Sequence, residues 1–235
     1  MKNKKLKNLI LGISIGTIIS INTLATNVFA SDLNKHTNIS NTNVIQEIND
    51  DISQNISIDN GQIKIDNAND LLNKIDDADI NKLNELAKSQ GIEKSYTKED
   101  LIKLYEDSIS NLNKEITKGN LEMLSDGSII EANDDSFYLQ GGSTFDKRYW
   151  WGVSRWKSTD DANHWSYELN KAAAANAGIA VLAGAVLGGV GAIPNWLTSA
   201  YTWALANEVS YKNSLNSRGI VADINWSLVY SVYGQ

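Results

Sequence analysis

Asp160 and His164 stand four residues apart in Asp160-Asp161-Ala162-Asn163-His164. On a helix this carboxylate and this imidazole would share a face. Such a pair could supply half of a metal site or half of a nucleophilic triad. Nothing in the sequence completes it. The other histidine, His36, lies in a polar stretch, and there is no cysteine. No P-loop, HExxH or GxSxG pattern occurs. The Asp134-Asp135 pair sits in linker-like sequence that would not hold two carboxylates in register. Asp160 or Asp161 therefore reads as a helix cap and His164 as a solvated or interfacial residue. No catalytic, cofactor-binding or metal-ligating residue is assigned, no cofactor is expected, and the chain reads as a non-enzyme.

The residue types that remain suited to chemistry are suited to lipid. Ala172 to Ile193 carries no charge and has one polar side chain, Asn176. As one helix its 22 residues would run about 33 Å, against a hydrocarbon core of about 30 Å. Its large aliphatics supply roughly −2 to −4 kcal/mol for insertion, and its glycines oppose that. Such a segment would enter a bilayer reversibly. Ala180, Gly184, Gly188 and Ala192 form a small-residue stripe along which two such helices could associate. Trp150, Trp151, Trp156 and Trp165 precede the segment or its core, and Trp196 and Trp203 follow it, as interfacial aromatics do. Lys147, Arg148, Arg155 and Lys157 form a small cationic cluster suited to anionic lipid. Two other readings are a permanent anchor and the buried central helix of a small secreted domain with the tryptophans as its core.

The elements that must position these residues divide the chain in three. Lys2, Lys4, Lys5 and Lys7 precede an apolar run from Leu9 to Ile21, and Val28-Phe29-Ala30 offers small residues for a signal peptidase. Residues 1–30 are thus expected to be a secretory signal cleaved near Ala30, and the protein to be secreted. From Ser31 to Phe145 there are ten Lys, no Arg and 22 Asp+Glu, a net −12; from Asp146 to Gln235 the net charge is +1, and all seven Trp lie there. This shift marks a boundary. Residues 31–142 read as an acidic pro-region, disordered at first and then helical, with one helix opening at Thr97 and Asp100 and stopping at Gly119. Residues 125–148 read as a linker with candidate processing points at Gly142 and Arg148. Residues 143–235 read as a Trp-rich helical-hairpin region, Trp196–Val209 being the second helix, ended by a β-strand or hairpin from Ile220. The fold class expected is mainly α. Near-zero charge in the last ninety residues excludes a nucleic-acid binder.

This layout resembles the large precursors of secreted bacteriocins from Gram-positive bacteria, of the closticin type. The resemblance rests on Tyr149-Trp150-Trp151-Gly152 and Ala172 to Trp196 within the architecture of the whole chain. It implies an antimicrobial toxin in which an extracellular protease releases the C-terminal portion. That portion would act on bacterial membrane lipid, with self-association in the bilayer. The competing classes are an intact secreted surface or binding protein and a holin-like or immunity-type membrane protein.

Overall fold

A computed structural model describes residues 41–132, 142–175, 177–189 and 195–235. The expected signal segment with Ala30, and Asn176, Ala192 and Pro194, lie outside the described residues. Within them the expectation of a mainly α chain is overturned. The fold is mixed α/β: a two-stranded hairpin, a six-stranded antiparallel sheet and seven helices.

Residues expected to be disordered begin the fold. Helix α1 (Asn41–Ser53) buries Val44, Ile48 and Ile52 at four-residue spacing. Strands β1 (Ile56–Asp59) and β2 (Gln62–Ile65) follow, joined by Asn60-Gly61, both at positive φ. Asn-Gly between alternating residues is a strong local hairpin signal. Three capped helices come next: α2 (Ala68–Lys74), α3 (Asp77–Ser89) and α4 (Lys98–Thr117). In α4, Thr97 and Asp100 close a reciprocal capping box, and Leu101, Leu104, Tyr105, Ile109 and Leu112 are buried. Asn113 of α4 clasps the hairpin through both hydrogen bonds to the Ile63 backbone, 2.9 and 2.7 Å.

The main sheet runs in sequence order: β3 (Leu121–Met123), β4 (Ile129–Glu131), β5 (Phe145–Tyr149), β6 (Gly152–Lys157), β7 (Ile220–Asn225) and β8 (Tyr230–Gly234). The stretch read as a linker thus contains two strands. Their sequences hide them: β5 reads FDKRY, with charged side chains at three of five positions, so no apolar alternation marks it. Of the strand or hairpin expected from Ile220, the structure has the hairpin, with its turn at Trp226–Val229. Between β6 and β7 the chain makes α5 (Thr159–Ala174), α6 (Ile179–Leu187) and α7 (Ser199–Ser214). These cover the sheet face that carries Arg148, Val153, Arg155, Ala222 and Ile224.

Sheet β5–β8 and helices α5–α7 therefore form a ββαααββ unit from residues 143–235. Gln235 ties its ends together. Its side-chain oxygen accepts from Ser143 N at 2.8 Å, and its amide donates to Ser143 O at 2.8 Å and Lys157 O at 2.9 Å. The sheet continues past the expected boundary, but thinly: β4 meets β5 at one paired position, Ile129 with Arg148.

Candidate functional site: a covered aromatic end

Two hairpin tips lie side by side at one end of the ββαααββ unit. The first is the two-residue turn Trp150-Trp151 between β5 and β6. It closes on Gly152, where a Cβ would sit 2.2 Å from the carbonyl oxygen of Ile224, so only glycine fits against β7. The second is Trp226–Val229. Trp226 binds the first tip twice, its backbone N–H donating to Trp151 O at 3.1 Å and its indole to Trp150 O at 2.7 Å.

The second tip is unusual for a turn. Turns normally lie on the surface and are polar; here Trp226, Leu228 and Val229 are at most 1% exposed. Leu228 adopts φ 68°, a conformation that bulky residues rarely take. It is held there by Tyr201, whose hydroxyl donates to Leu228 O at 2.6 Å.

The cover comes from residues 41–105. The Gln90 side chain imitates a strand partner for Tyr230, donating to its carbonyl at 2.8 Å and accepting from its N–H at 2.9 Å. The Tyr96 hydroxyl donates to Ser227 O at 2.6 Å and accepts from the Trp196 indole at 2.9 Å. The two rings meet edge to face at 6.0 Å, and the Lys94 ammonium lies 5.6 Å from the Trp196 ring. Tyr105 donates to Asn49 Oδ1 at 2.9 Å, accepts from Asn225 at 2.6 Å and leans against Trp150. Burial pushes the Tyr96 and Tyr105 phenols above their ordinary values, so both remain protonated donors.

The residues singled out from sequence fall elsewhere in the fold. The segment Ala172–Ile193 is not one helix: α5 ends at Ala174 and α6 covers only Ile179–Leu187. No helix among the described residues is long and apolar enough to cross a membrane. Leu182, Ala183, Val186 and Leu187 of α6 are buried, while Ile179 and Val181 are exposed. Ala180 is exposed, and a Cβ on Gly184 would meet nothing within 4 Å. Gly188 is not a helical stripe residue but the left-handed C-cap of α6, at φ 70°.

The cationic cluster faces inward. Arg155 donates to the carbonyls of Ala185 and Val186, at 2.6 and 3.0 Å, and the Trp165 indole also donates to Ala185 O, at 2.8 Å. Arg148, fully buried, reaches Gly188 O at 3.3 Å and Glu131 at 3.1 Å. These donors satisfy the C-terminal carbonyls of α6 and complement its dipole. Asp146 balances the charge through Arg155 at 3.0 Å and Lys157 at 2.8 Å. Burial raises its carboxyl, but Arg155 and Lys157 outweigh that and hold it below the usual carboxylate range. Lys147 is partly exposed and lies 3.6 Å from Asp126. In this fold Arg148, Arg155 and Lys157 bind protein rather than face lipid. A protease cutting after Arg148 would first have to draw β5 from the sheet; Gly142 is likewise buried, at φ 105°.

Of the expected interfacial aromatics, Trp165 is buried under Arg155, Trp150, Trp151, Trp156 and Trp196 are half-buried, and Trp203 is exposed. Asp160 and His164 are both exposed on α5. The cap is Ser158, whose hydroxyl accepts from Asp161 N and donates to Asp161 Oδ2 at 2.6 Å. Trp226 and the Gln90, Tyr96 and Tyr105 contacts went unrecognised in the sequence. The signal available was four large apolar or aromatic residues among the five from Trp226 to Tyr230, at a point where alternation should have given way to turn residues.

The opposite face of β5–β8 is uncovered enough to form a shallow groove. Phe145 stacks on Trp156 across the β5–β6 pair, with ring centres 5.1 Å apart, and Tyr149 stacks on Trp151 at the same distance. Between the two stacks lie Lys147, Ser154 and Asp223, with Tyr233 donating to Asp223 Oδ2 at 2.8 Å. A space of about 420 Å³ beyond Trp151, bordered by Asn49, Asp50 and Asn225, shares Trp151 and Asp223 with this groove. Compared with protein-family models, with curated proteins and with solved structures, the chain matches none.

Proposed function

We propose that this chain is a secreted antimicrobial precursor in which residues 41–132 cover the membrane-active end of the C-terminal unit. The observation that carries the proposal is the apolar Trp226–Val229 turn, buried beneath Gln90, Tyr96 and Tyr105. Uncovering it would expose part of this apolar surface, at up to about 1.5–3 kcal/mol per large apolar side chain in water. Those groups, beside Trp150 and Trp151, would be stable again at a lipid interface, where amphipathic indoles collect.

Helix α6 supports the same reading. It is apolar on every side yet leaves Val181 59% exposed and Ile179 38% exposed. A helix apolar all round ordinarily belongs in a core or in lipid. At nine residues it is about 13 Å long, too short to span a bilayer of about 30 Å. The disruption proposed is therefore shallow insertion of the tips and α6, without a transmembrane hairpin. An extracellular protease acting between Ala132 and Gly142 would sever the cover from the C-terminal unit, after which its release requires parting the single β4–β5 pairing and the Gln90, Tyr96 and Tyr105 contacts.

The test is sedimentation with phosphatidylglycerol-containing vesicles after cleavage at an engineered protease site between Ala132 and Gly142. The cleaved protein should bind and Val181→Asp should weaken binding, since Val181 is exposed and its replacement leaves the core intact. Equal binding before and after cleavage, or none in either state, would favour an intact surface protein instead.

A further inference from the structure

We infer that the outer face of β5–β8 is a binding site for an uncharged pyranose oligosaccharide. The paired rings Phe145/Trp156 and Tyr149/Trp151 stand at the two ends of β5. Four residues of extended strand separate Phe145 from Tyr149, about 13 Å. Two flat apolar platforms at that separation suit a short chain of sugar rings, whose C–H faces stack on aromatic rings while their hydroxyls point sideways.

The groups between the platforms are those that bind hydroxyls. Ser154 and Tyr233 can donate or accept, and Asp223 accepts only. Among the described residues Asp223 makes no ion pair; Tyr233 occupies Oδ2, and Oδ1 has no hydrogen bond with them. The adjoining space adds Asn49 and Gln46. Charge decides against the other ligands that stack on aromatic rings. A nucleic acid would bring phosphates toward Asp50 and Asp223 with only Lys147 to receive them, and Lys147 lies near Asp126. A lipid tail would leave Ser154 and Asp223 Oδ1 without partners. A polyol satisfies both the rings and the carboxylate.

Among the described residues, the groove between the two platforms is lined only by the C-terminal unit and is open in the intact chain; Asn49 and Gln46 of the adjoining space belong to the cover. Isothermal titration of the uncleaved full chain with triacetylchitotriose, cellotriose and maltotriose tests it, with tryptophan fluorescence as a second readout. At least one sugar should bind saturably. Asp223→Asn, nearly isosteric, should weaken it about tenfold, and Trp156→Ala by a similar factor, with melting temperatures recorded for both. If Trp156→Ala fails to fold, Asp223→Asn alone decides. The inference is overturned if no sugar of the three binds at millimolar concentration, if Asp223→Asn binds as well as the parent, or if single-stranded DNA binds the groove in place of sugar.

Discussion

Two glycines give opposite forecasts because their surroundings differ. Gly152 presses its α-carbon against the β7 backbone; a methyl group would meet Ile224 O at 2.2 Å and Asn225 Cα at 2.8 Å. Gly152→Ala should separate β6 from β7 and destabilise the protein by about 3 kcal/mol or more. Gly184 lies in α6 at ordinary helical φ with open space around it. Gly184→Ala should raise stability by up to about 1 kcal/mol through helix propensity. Urea unfolding of the two variants checks both signs. Much of this scale was hidden in the sequence. Nothing in a count of Gly separates a residue needed for close approach from one facing solvent. Likewise, Arg148 and Arg155 read as surface cations because arginines are rarely buried without partners, and besides Glu131 and Asp146 their partners here are backbone carbonyls, which leave no mark on sequence.

At the scale of elements, the sheet holds α6 through buried arginines, and Arg155 is paired with Asp146. Asp146 is depressed below its ordinary value of 3.8 by Arg155 and Lys157, against the opposing effect of burial. A carboxyl depressed on folding adds stability above its unfolded pKa and loses it as pH falls through the folded value. The tie between β5, β6 and α6 should therefore be complete at neutral pH and weaken only below about pH 4. Asp146→Asn leaves Arg155 and Lys157 partly unpaired and should cost on the order of 3 kcal/mol at pH 7. Its stability should then fall less steeply than the parent's between about pH 4 and pH 2. Thermal melts over that range measure the difference. Elements with local signals were readable: the Thr97/Asp100 cap and the apolar spacing of α4 are in the sequence, as is the alternation from Ile220. Strands β3 to β6 were not. They are three to six residues long, and the buried face of β5 and β6 carries Asp146, Arg148 and Arg155. Period-two reasoning looks for apolar residues at those positions.

For the whole molecule, the charge shift near Phe145 falls inside one compact unit, where both the six-stranded sheet and the hydrophobic core run through it. The Ala/Gly segment misled in a physical way. Its composition is compatible with one long helix, but Gly178 and Gly188 end α6 at both sides, and side-chain caps from Arg155 and Arg148 make the short helix stable. What joins the cover to the tips is polar and specific. Tyr96→Phe removes the donor to Ser227 O and the acceptor for the Trp196 indole. It should loosen the cover by about 1–3 kcal/mol and speed limited proteolysis between β4 and β5. An unchanged digestion rate would mean that Tyr96 does not hold the cover. The most direct measurement is dye release from phosphatidylglycerol-rich liposomes while the chain is cut between Ala132 and Gly142. Leakage should begin with cleavage, follow the amount of free 143–235 fragment, and be slowed by Val181→Asp. A fully cleaved, folded protein that leaves the liposomes sealed would contradict the proposal that residues 41–132 conceal a membrane-active end.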